Sequence, residues 1–304
     1  MRADDLFETI TDQLIAAIEA GAGTWRMPWH TLAEAGTPTS VDGHRYRGVN
    51  ALWLPMVAAE HGWDSGLWAT YRGWQRHDAQ VRRGEKGAAV LLWKKLAPRA
   101  DDAADHDDEG KSRGRLVART FTVFAAEQAD GTADLIAARQ RLDRDSPERI
   151  DDAQAFFAAV GANVRTGGNI ACYEPKTDTI RLPHLEQFDQ AAHFYATQAH
   201  EHIHWTGHAD RLARDLSGRF GSDAYAAEEL VAELGAAMWS ATAGISAATR
   251  QDHAAYLAHW LRILRSDARA LVAVASKAQQ AADFLIEKAG RASNATDPAE
   301  VEAA

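Results

Sequence analysis

Apolar residues recur along the first half of the chain in two spacings, one typical of helices and one typical of strands. Helical spacing of apolar positions is found at residues 4–20, 50–61, 70–78 and 150–161. Two apolar stretches, at 90–95 and 117–124, have the length and composition of strands. The first half is therefore predicted to mix helices and strands.

The second half is predicted to be mainly helical. A stretch without proline or glycine begins at Phe188 and leads into a helix that should end near Gly207. Further helices are predicted at 223–240, 248–265 and 267–288. Ahead of them, between Val164 and Leu182, two short strand-like stretches flank a turn and predict a β-hairpin. The expected fold class is α+β.

Polar segments divide the chain into two predicted domains. The length of 304 residues and the 46% hydrophobic content allow a core in each. We assign residues 1–130 to an amino-terminal domain and 148–289 to a carboxyl-terminal domain, with a linker at 131–147 and a disordered tail at 290–304. Residues 98–114 contain no large apolar side chain, so they are predicted to form a mobile acidic loop between two strands.

Composition excludes several classes of protein. The longest apolar runs are too short to span a bilayer and the amino end has no signal core, so we expect a cytoplasmic protein without a membrane partner. The single cysteine, Cys172, excludes an internal disulfide framework and a cysteine-rich zinc module. Any zinc ion must then be held by histidines and carboxylates.

The net charge of −10 conceals a basic segment near the amino end. Residues 44–95 include nine Lys and Arg but only four Asp and Glu. Seven of the ten tryptophans precede residue 94. Aromatic rings interleaved with arginines suit a surface for single-stranded nucleic acid, since rings stack on bases and cations meet phosphates. Tryptophans packed in a core would give the same pattern.

The motif at residues 200–204, His-Glu-His-Ile-His, carries the strongest chemical signal. On a helix, His200 and His204 lie one turn apart on one face, where they can hold one Zn²⁺ or another divalent metal. Glu201 follows the first histidine directly, so its carboxylate would take the proton from an attacking water. The pattern predicts a single metal site of the catalytic type found in zinc peptidases.

A catalytic zinc takes a third protein ligand, and the sequence offers several carboxylates for this position. We favour Glu229, because its helix is rich in Ala and Leu, and a buried carboxylate needs a cation or a donor. Glu233 lies one turn farther along the same face, where it can orient a ligand histidine. Asp210 is an alternative ligand, as are Glu228 and Glu233 themselves.

Several uncommon motifs occur in order along the chain. Those of the first half are Ile18-Glu-Ala-Gly21, Trp25-Arg-Met-Pro28-Trp29, Tyr46-Arg-Gly-Val-Asn50-Ala-Leu52, Val81-Arg-Arg-Gly84-Glu85-Lys86-Gly87 and Phe121-Thr-Val-Phe124 with Gln128. Together they resemble the amino-terminal domain of ArdC-type antirestriction proteins. The histidine motif with its Arg211 and Arg214 extension, and Glu228-Glu-Leu-Val-Ala-Glu233, resemble the zincin-like metallopeptidase domain of that family.

The resemblance implies a single-stranded DNA-binding domain fused to a gluzincin-type metallopeptidase domain. Proteins of this family are carried by plasmids and other mobile elements, and they shield incoming single-stranded DNA from host restriction. The resemblance also implies Glu229 rather than Asp210 as the third ligand, and a protein substrate of unknown identity. The alternative function is a protein that only covers DNA and whose metal site is structural or vestigial.

The residues expected to contact DNA lie in the basic segment. The cationic and polar candidates are Arg45, Arg47, Asn50, Arg82, Arg83 and Lys86, and the candidate stacking rings are Trp29, Tyr46 and Trp74. Residues 81–87 combine cations with glycines, so their backbone could approach a phosphate closely. A solvated turn is the alternative interpretation of these residues.

Overall fold

The computed structural model describes seven segments of the chain. These are residues 3–21, 28–96, 115–139, 145–216, 222–246, 253–267 and 269–291. The predicted acidic loop at 98–114 lies outside the described residues, as do Trp25, residues 140–144 of the predicted linker and residues 292–304 of the predicted tail.

Helices and short strands alternate through the first half, and helices dominate the second. The described helices are α1 (Ala3–Gly21), α2 (Pro28–Ala35), α3 (Val49–His61), α4 (Tyr71–Arg76), α5 (Ala133–Ala138), α6 (Pro147–Val160), α7 (Ala191–Thr206), α8 (Asp223–Ala243), α9 (His253–Ser266) and α10 (Ala270–Lys288). The described strands are β1 (Thr39–Ser40), β2 (Leu67–Thr70), β3 (Gln80–Val81), β4 (Ala88–Leu96), β5 (Arg115–Ala125), β6 (Ala129–Asp130), β7 (Asn163–Thr166), β8 (Cys172–Glu174) and β9 (Thr179–Leu182). The predicted α+β class is confirmed.

The sheet of the first half is centred on β4 and β5. These strands pair antiparallel from Ala88 opposite Val123 to Leu96 opposite Arg115. β2 pairs antiparallel with the other edge of β5 and β1 lies parallel to β2, so the strand order is β1-β2-β5-β4. The two long strands contain the predicted ones. β1 and β2 were not predicted, because two to four residues are too few to show a spacing.

The second half contains a small sheet of three strands in the order β7-β9-β8. β8 and β9 form the predicted hairpin, whose turn places Asp178 at a positive φ of 48°. β7 runs parallel to β9 and was not predicted. Since β9 is central, β8 has one described strand partner and lies at the sheet edge, next to α7.

Helices α7 and α8 are in contact where Gly235 of α8 faces Ile203 of α7. A Cβ atom added at Gly235 would lie 2.9 Å from Ile203 Cδ1, so a larger residue would push the two helices apart. This approach brings the first turns of α8 beside the histidine motif of α7. The position of Glu229 relative to His200 and His204 depends on it.

The larger hydrophobic core is shared by the two halves of the chain. Helix α2 packs along α8, and the ring of Trp29 meets the ring of Trp260 edge to face with centroids 5.4 Å apart. Leu6 and Leu52 belong to the same buried cluster as Phe156. The division into domains at 131–147 stays a prediction. Among the described helices, none combines the length and apolar character needed to cross a bilayer.

Candidate metal centre and nucleic-acid surface

The closest cluster of potential metal ligands lies between α7 and α8. His200 Nε2 is 3.2 Å from His204 Nε2. The carboxylate of Glu229 reaches both rings, with Oε2 at 3.5 Å from His200 Nε2 and Oε1 at 3.4 Å from His204 Nε2. Over the part of the chain that the structure describes, these three residues form the group whose donor atoms could hold one metal ion.

The spacing of the two imidazoles and the carboxylate fits a single divalent ion. Tetrahedral coordination with bonds of about 2.0 to 2.1 Å separates neighbouring ligand atoms by about 3.3 to 3.4 Å. The separations here lie between 3.2 and 3.5 Å, with a different oxygen of Glu229 nearest to each histidine. Two imidazoles and one carboxylate are also the donor set of many catalytic zinc sites, which leave a fourth position for water or substrate.

The electrostatics of the cluster also favour a cation. Glu201, Glu229 and Glu233 are buried together with the two histidines. Burial opposes a charged His204, yet hydrogen bonds to Glu228 and Glu229 outweigh it and raise the pKa of His204 to about 10. Burial likewise opposes a charged Glu229, but the two histidines hold the pKa of Glu229 well below its ordinary value. A divalent ion would supply the positive charge that these carboxylates require.

A carboxylate lies against the outer nitrogen of each histidine. Glu233 Oε1 is 3.2 Å from His200 Nδ1, and Glu228 Oε1 is 3.3 Å from His204 Nδ1. Such contacts fix the tautomer and orientation of a ligand imidazole. The supporting role of Glu233 stays a prediction; Glu228 lies at the equivalent position beside the other histidine.

Arg214 holds Glu228 in place. Its Nη2 and Nε donate to the Glu228 carboxylate over 2.8 and 3.0 Å. The same guanidinium donates to Thr206 Oγ1 and to the carbonyl of Ile203, which ties it to the end of α7. Arg214 belongs to a motif that resembles the ArdC family, but its spacing alone does not indicate a partner in α8.

Trp29 of the first half holds Glu233. Its indole Nε1 donates to Glu233 Oε2 over 3.3 Å, and its ring is buried. The prediction that this ring stacks on DNA is wrong, because the ring is enclosed by the core. Trp29 instead connects the amino-terminal half to the candidate metal centre.

The three candidate ligands open onto a cavity of about 340 Å³. Glu201 lines it beside them, and the edge strand β8 forms part of the facing wall with Cys172 and Tyr173. Burial, followed by the charge of Glu201, raises the pKa of the Cys172 thiol, which agrees with a Glu201 carboxylate directed toward β8. The catalytic role of Glu201 stays a prediction.

Arg211 fastens the β8–β9 hairpin to the end of α7. Its guanidinium lies over the ring of Trp205, 3.9 Å from the centroid, and donates to Asp178 and to Tyr173 Oη over 3.1 Å each. Cation–π contact and charge-assisted hydrogen bonds act together here. The wall of the cavity opposite the histidines is therefore fixed to the helix that carries them.

Asp210, the alternative ligand, lies away from the cluster. Its side chain is 87% exposed on the turn after α7, where it lies 3.5 Å from His208 Nδ1. A side chain so exposed does not join the donor atoms of the two motif histidines. The structure brings Glu229 to them instead.

Two further candidate stacking rings and one polar candidate for DNA contact are buried. Tyr46 and Trp74 lie in hydrophobic clusters, so neither ring offers a face to a base. Asn50 is also buried: its Nδ2 donates to the Leu91 carbonyl over 2.6 Å, and its Oδ1 accepts from Leu91 N over 2.9 Å. These three predictions are wrong. Asn50 connects α3 to β4.

Two of the arginines predicted to contact DNA have partners within the protein. Arg47 forms an ion pair with Asp283 of α10. Arg82 pairs with Glu85 over 3.0 Å and also donates to the carbonyl of Glu127. Both side chains fix local structure, and their contribution to DNA binding stays a prediction.

The remaining cationic candidates are exposed. Arg45, Arg83 and Lys86 face solvent, and none of them forms an ion pair with another described residue. Arg83 and Lys86 belong to the turn at residues 81–87, which leads into β4. They are therefore available to an anionic partner.

The turn at 81–87 is held in one conformation. The buried side chain of Gln128 accepts from Ala125 N over 3.0 Å and donates to the Lys86 carbonyl over 2.9 Å. Gly84 has a φ of +90°, and a Cβ atom at Gly87 would lie 2.6 Å from the Val123 carbonyl oxygen. Glycine is required at both positions. The turn thus presents its cations from a fixed backbone.

An exposed tyrosine lies beside this turn. Tyr71 is 44% exposed and accepts a hydrogen bond from Gln80 Nε2 over 2.7 Å. It lines an open depression together with Arg83 and Gly84. Tyr71 was not among the predicted contacts, because the seven tryptophans of this half dominate its aromatic content. Tyr71 begins α4 directly after β2, and this position gave no indication of burial or exposure.

Family models match both halves of the chain. The model described as the N-terminal domain of anti-restriction factor ArdC matches residues 4–124. The model described as a zincin-like metallopeptidase matches residues 151–277. The second range contains the whole histidine motif and Glu229.

Relatives with similar sequences occur in two bacteria. A protein of Sinorhizobium fredii named y4eC is 46% identical, over 92% of this chain and 91% of its own length. Two DNA primases TraC of Escherichia coli are 36% and 33% identical over 92% of this chain. The chain spans only 27% and 20% of those two primases.

Two crystal structures of the antirestriction protein ArdC from plasmid R388 resemble the present structure. The metal-free form has a TM-score of 0.76 and 40% identity, and covers 94% of this chain and 98% of its own. The Mn(II)-bound form has a TM-score of 0.74 and 37% identity, and covers 93% and 97%. The likeness therefore extends over nearly the full length.

Replacing Glu229 with Ala removes one of the three proposed ligands. Loss of a residue that only supports a ligand lowers metal affinity by about 10- to 100-fold, so this change should lower it further. The matched control, Asp210→Ala, should bind Zn²⁺ and Mn²⁺ as the unaltered protein does. Isothermal titration calorimetry after chelator treatment measures both. Wild-type affinity in Glu229→Ala, with a loss in Asp210→Ala, would show that the third ligand has been misassigned.

Proposed function

The chain belongs to the ArdC family of antirestriction proteins, and we propose that it binds single-stranded DNA and carries a metal-dependent peptidase site. The peptidase activity is proposed from the position of Glu201. This residue is buried beside three potential metal ligands, and it lines a cavity bounded by an edge strand. In this proposal the protein acts in the cytoplasm, on DNA that enters with a plasmid or another mobile element.

Residues of the second half have separate roles in the proposed hydrolysis. A divalent metal, with Zn²⁺ the first candidate, would be held by His200, His204 and Glu229 and would supply Lewis acidity toward a peptide carbonyl. Glu201 acts as general base: a carboxylate oxygen accepts a proton from the attacking water and then passes it to the leaving amine. Glu233 keeps the His200 ring oriented during this transfer.

The edge strand β8 is the proposed docking place for an extended peptide. Among the described residues, β8 has no strand partner on the side away from β9, and this side suits strand addition. Because Arg211 fastens the hairpin to α7, a peptide paired with β8 would lie at a fixed distance from Glu201. Rigid support of this kind favours a productive orientation of the scissile bond.

The amino-terminal half supplies the proposed DNA surface. Arg83 and Lys86 are placed to meet backbone phosphates, and the exposed ring of Tyr71 offers a face on which a base can stack. The turn that carries the cations is held by Gln128, so little ordering of the backbone would accompany binding. Bound protein would cover the strand and protect it from restriction.

A second candidate function is a DNA-covering protein whose metal site is structural. The contact between Trp29 and Glu233 favours it, because a metal bound at His200 would then strengthen the junction of the two halves. In this version Glu201 has no role in hydrolysis. The two candidate functions predict different effects when the carboxylate of Glu201 is removed.

Replacing Glu201 with Gln keeps the side-chain shape but removes the proton acceptor. Peptide hydrolysis should fall by about 10²- to 10⁴-fold, the usual contribution of a general base, while metal affinity stays unchanged. A fluorogenic peptide library and metal titration measure the two properties, with the exposed Glu186→Gln as the control. Full hydrolysis by Glu201→Gln would refute the proposed role, and intact protection of DNA without any hydrolysis would favour the structural candidate.

The triple variant Tyr71→Ala/Arg83→Ala/Lys86→Ala should bind a single-stranded oligonucleotide weakly. Each phosphate contact on a single strand contributes about 0.7 to the salt slope of binding, so removing two cations should reduce that slope by about 1.4. Fluorescence anisotropy across a salt series measures it.

The exposed pair Arg165→Ala/Lys277→Ala removes the same charge from the second half and is the matched control. It should retain both affinity and slope. Equal losses in the two variants would mean that net charge, rather than the Tyr71 surface, governs binding.

A further inference from the structure

A second cavity, of about 270 Å³, lies where the two halves of the chain meet. Its wall combines the segment between α2 and α3 with faces of α6, α8 and α10. None of the candidate metal ligands lines it. The proposed DNA surface around Tyr71 also lies elsewhere, on a separate depression.

The lining of this cavity is rich in arginine. The four guanidinium groups, two from each half, belong to Arg45, Arg47, Arg149 and Arg291. The lining aspartates are Asp152 and Asp283. The cavity wall is thus positive by two charges in a chain whose net charge is −10.

Only one of these arginines has a carboxylate partner among the described residues. Arg47 pairs with Asp283, which also accepts from Gln279 Nε2 over 3.1 Å. Arg45, Arg149 and Arg291 form no ion pair within the described part of the chain. Guanidinium groups gathered in a concave wall without counter-charges attract an anion, because the field of each adds to that of the others.

A fifth guanidinium extends the same positive region. Arg139 donates to the carbonyl of Thr37, a residue of the cavity wall, over 3.1 Å. Burial, and next the charge of Arg45, lower the pKa of Arg139. Glu127 acts in the opposite direction, and Arg139 thus lies within electrostatic reach of Arg45 at the edge of the cavity.

Apolar side chains back part of the cavity wall. Leu32, Phe156 and Trp239 line it and are buried, and the guanidinium of Arg291 lies 5.4 Å from the centre of the Phe156 ring. A volume of about 270 Å³ lies just below the range for small-ligand sites, which begins at about 300 Å³. It suits one nucleotide rather than several.

We propose that this cavity binds the phosphate of one nucleotide, with Arg149 and Arg291 as the residues that contact it. Arginine suits this task, because its planar fork matches phosphate oxygens in pairs. The ligand is either a free nucleotide or the terminal nucleotide of a single strand. The second source rests on the DNA binding proposed above, whereas the chemistry of the cavity does not.

Calorimetric titration with thymidine 5′-monophosphate tests this proposal directly. The double variant Arg149→Ala/Arg291→Ala should bind this nucleotide at least tenfold more weakly than the unaltered protein, and the exposed Arg165→Ala should bind it equally well. Thymidine, which lacks the phosphate, should bind the unaltered protein far more weakly than the nucleotide does. No binding by the unaltered protein at millimolar nucleotide, or equal binding by the double variant, would overturn the proposal.

The variant Arg149→Lys/Arg291→Lys controls for misfolding of the double alanine variant. It keeps both positive charges but loses the paired donors of the guanidinium groups. It should unfold at the temperature of the unaltered protein and bind the nucleotide with intermediate affinity. A double lysine variant that folds normally and binds as tightly as the unaltered protein would contradict the role of the arginine forks.

Oligothymidylates with and without a 5′-phosphate distinguish the two sources of the ligand. Tighter binding of the phosphorylated strand, lost in Arg149→Ala/Arg291→Ala, supports the strand end, and equal binding of both strands supports a free nucleotide. The Tyr71→Ala/Arg83→Ala/Lys86→Ala variant separates this inference from the proposed function. It should lose strand binding and keep nucleotide binding, whereas loss of nucleotide binding in that variant would contradict a separate site.

Discussion

The carboxylate of Glu233 joins the two halves of this protein at its candidate metal centre. One oxygen lies 3.2 Å from His200 Nδ1, and the other accepts from Trp29 Nε1 over 3.3 Å. A buried carboxylate is stable only where donors or cations offset its desolvation. Here one partner comes from the motif helix and the other from α2 of the first half. The orientation of His200 and the seating of α2 on α8 are therefore parts of one arrangement.

The same arrangement depends on how closely two helices approach. Gly235 lets Ile203 pack against the backbone of α8, and this contact sets Glu229 within 3.5 Å of both motif histidines. Arg214 then closes the network by holding Glu228 behind His204. Four carboxylates are thus concentrated in a small, largely buried volume. Their compensation by histidine protons or by a divalent ion is the main electrostatic requirement of the fold.

Local patterns in the sequence predicted the helices and the long strands, because spacing of apolar residues reports which face is buried. The proximity of Glu229 to the histidines followed from the same reasoning. Partners distant in sequence were not predictable: Trp29 meets Glu233 across 204 residues, and Arg47 meets Asp283 across 236. Tyr46 and Trp74 were misjudged for a related reason. An aromatic residue among arginines has the same local signature in a core as on a binding surface.

Helix α2 also connects the metal centre to the arginine-lined cavity, since Trp29 contacts Glu233 and Leu32 lines the cavity wall. We infer from these contacts that the first half helps to hold the metal ligands. The affinity of the Trp29→Phe variant for Zn²⁺ tests this inference most directly. Loss of the indole donor should weaken Zn²⁺ binding by about tenfold, as for other supporting contacts. Trp63→Phe, which alters a ring stacked on His61, should leave it unchanged. Undiminished metal affinity in a folded Trp29→Phe protein would contradict the claim.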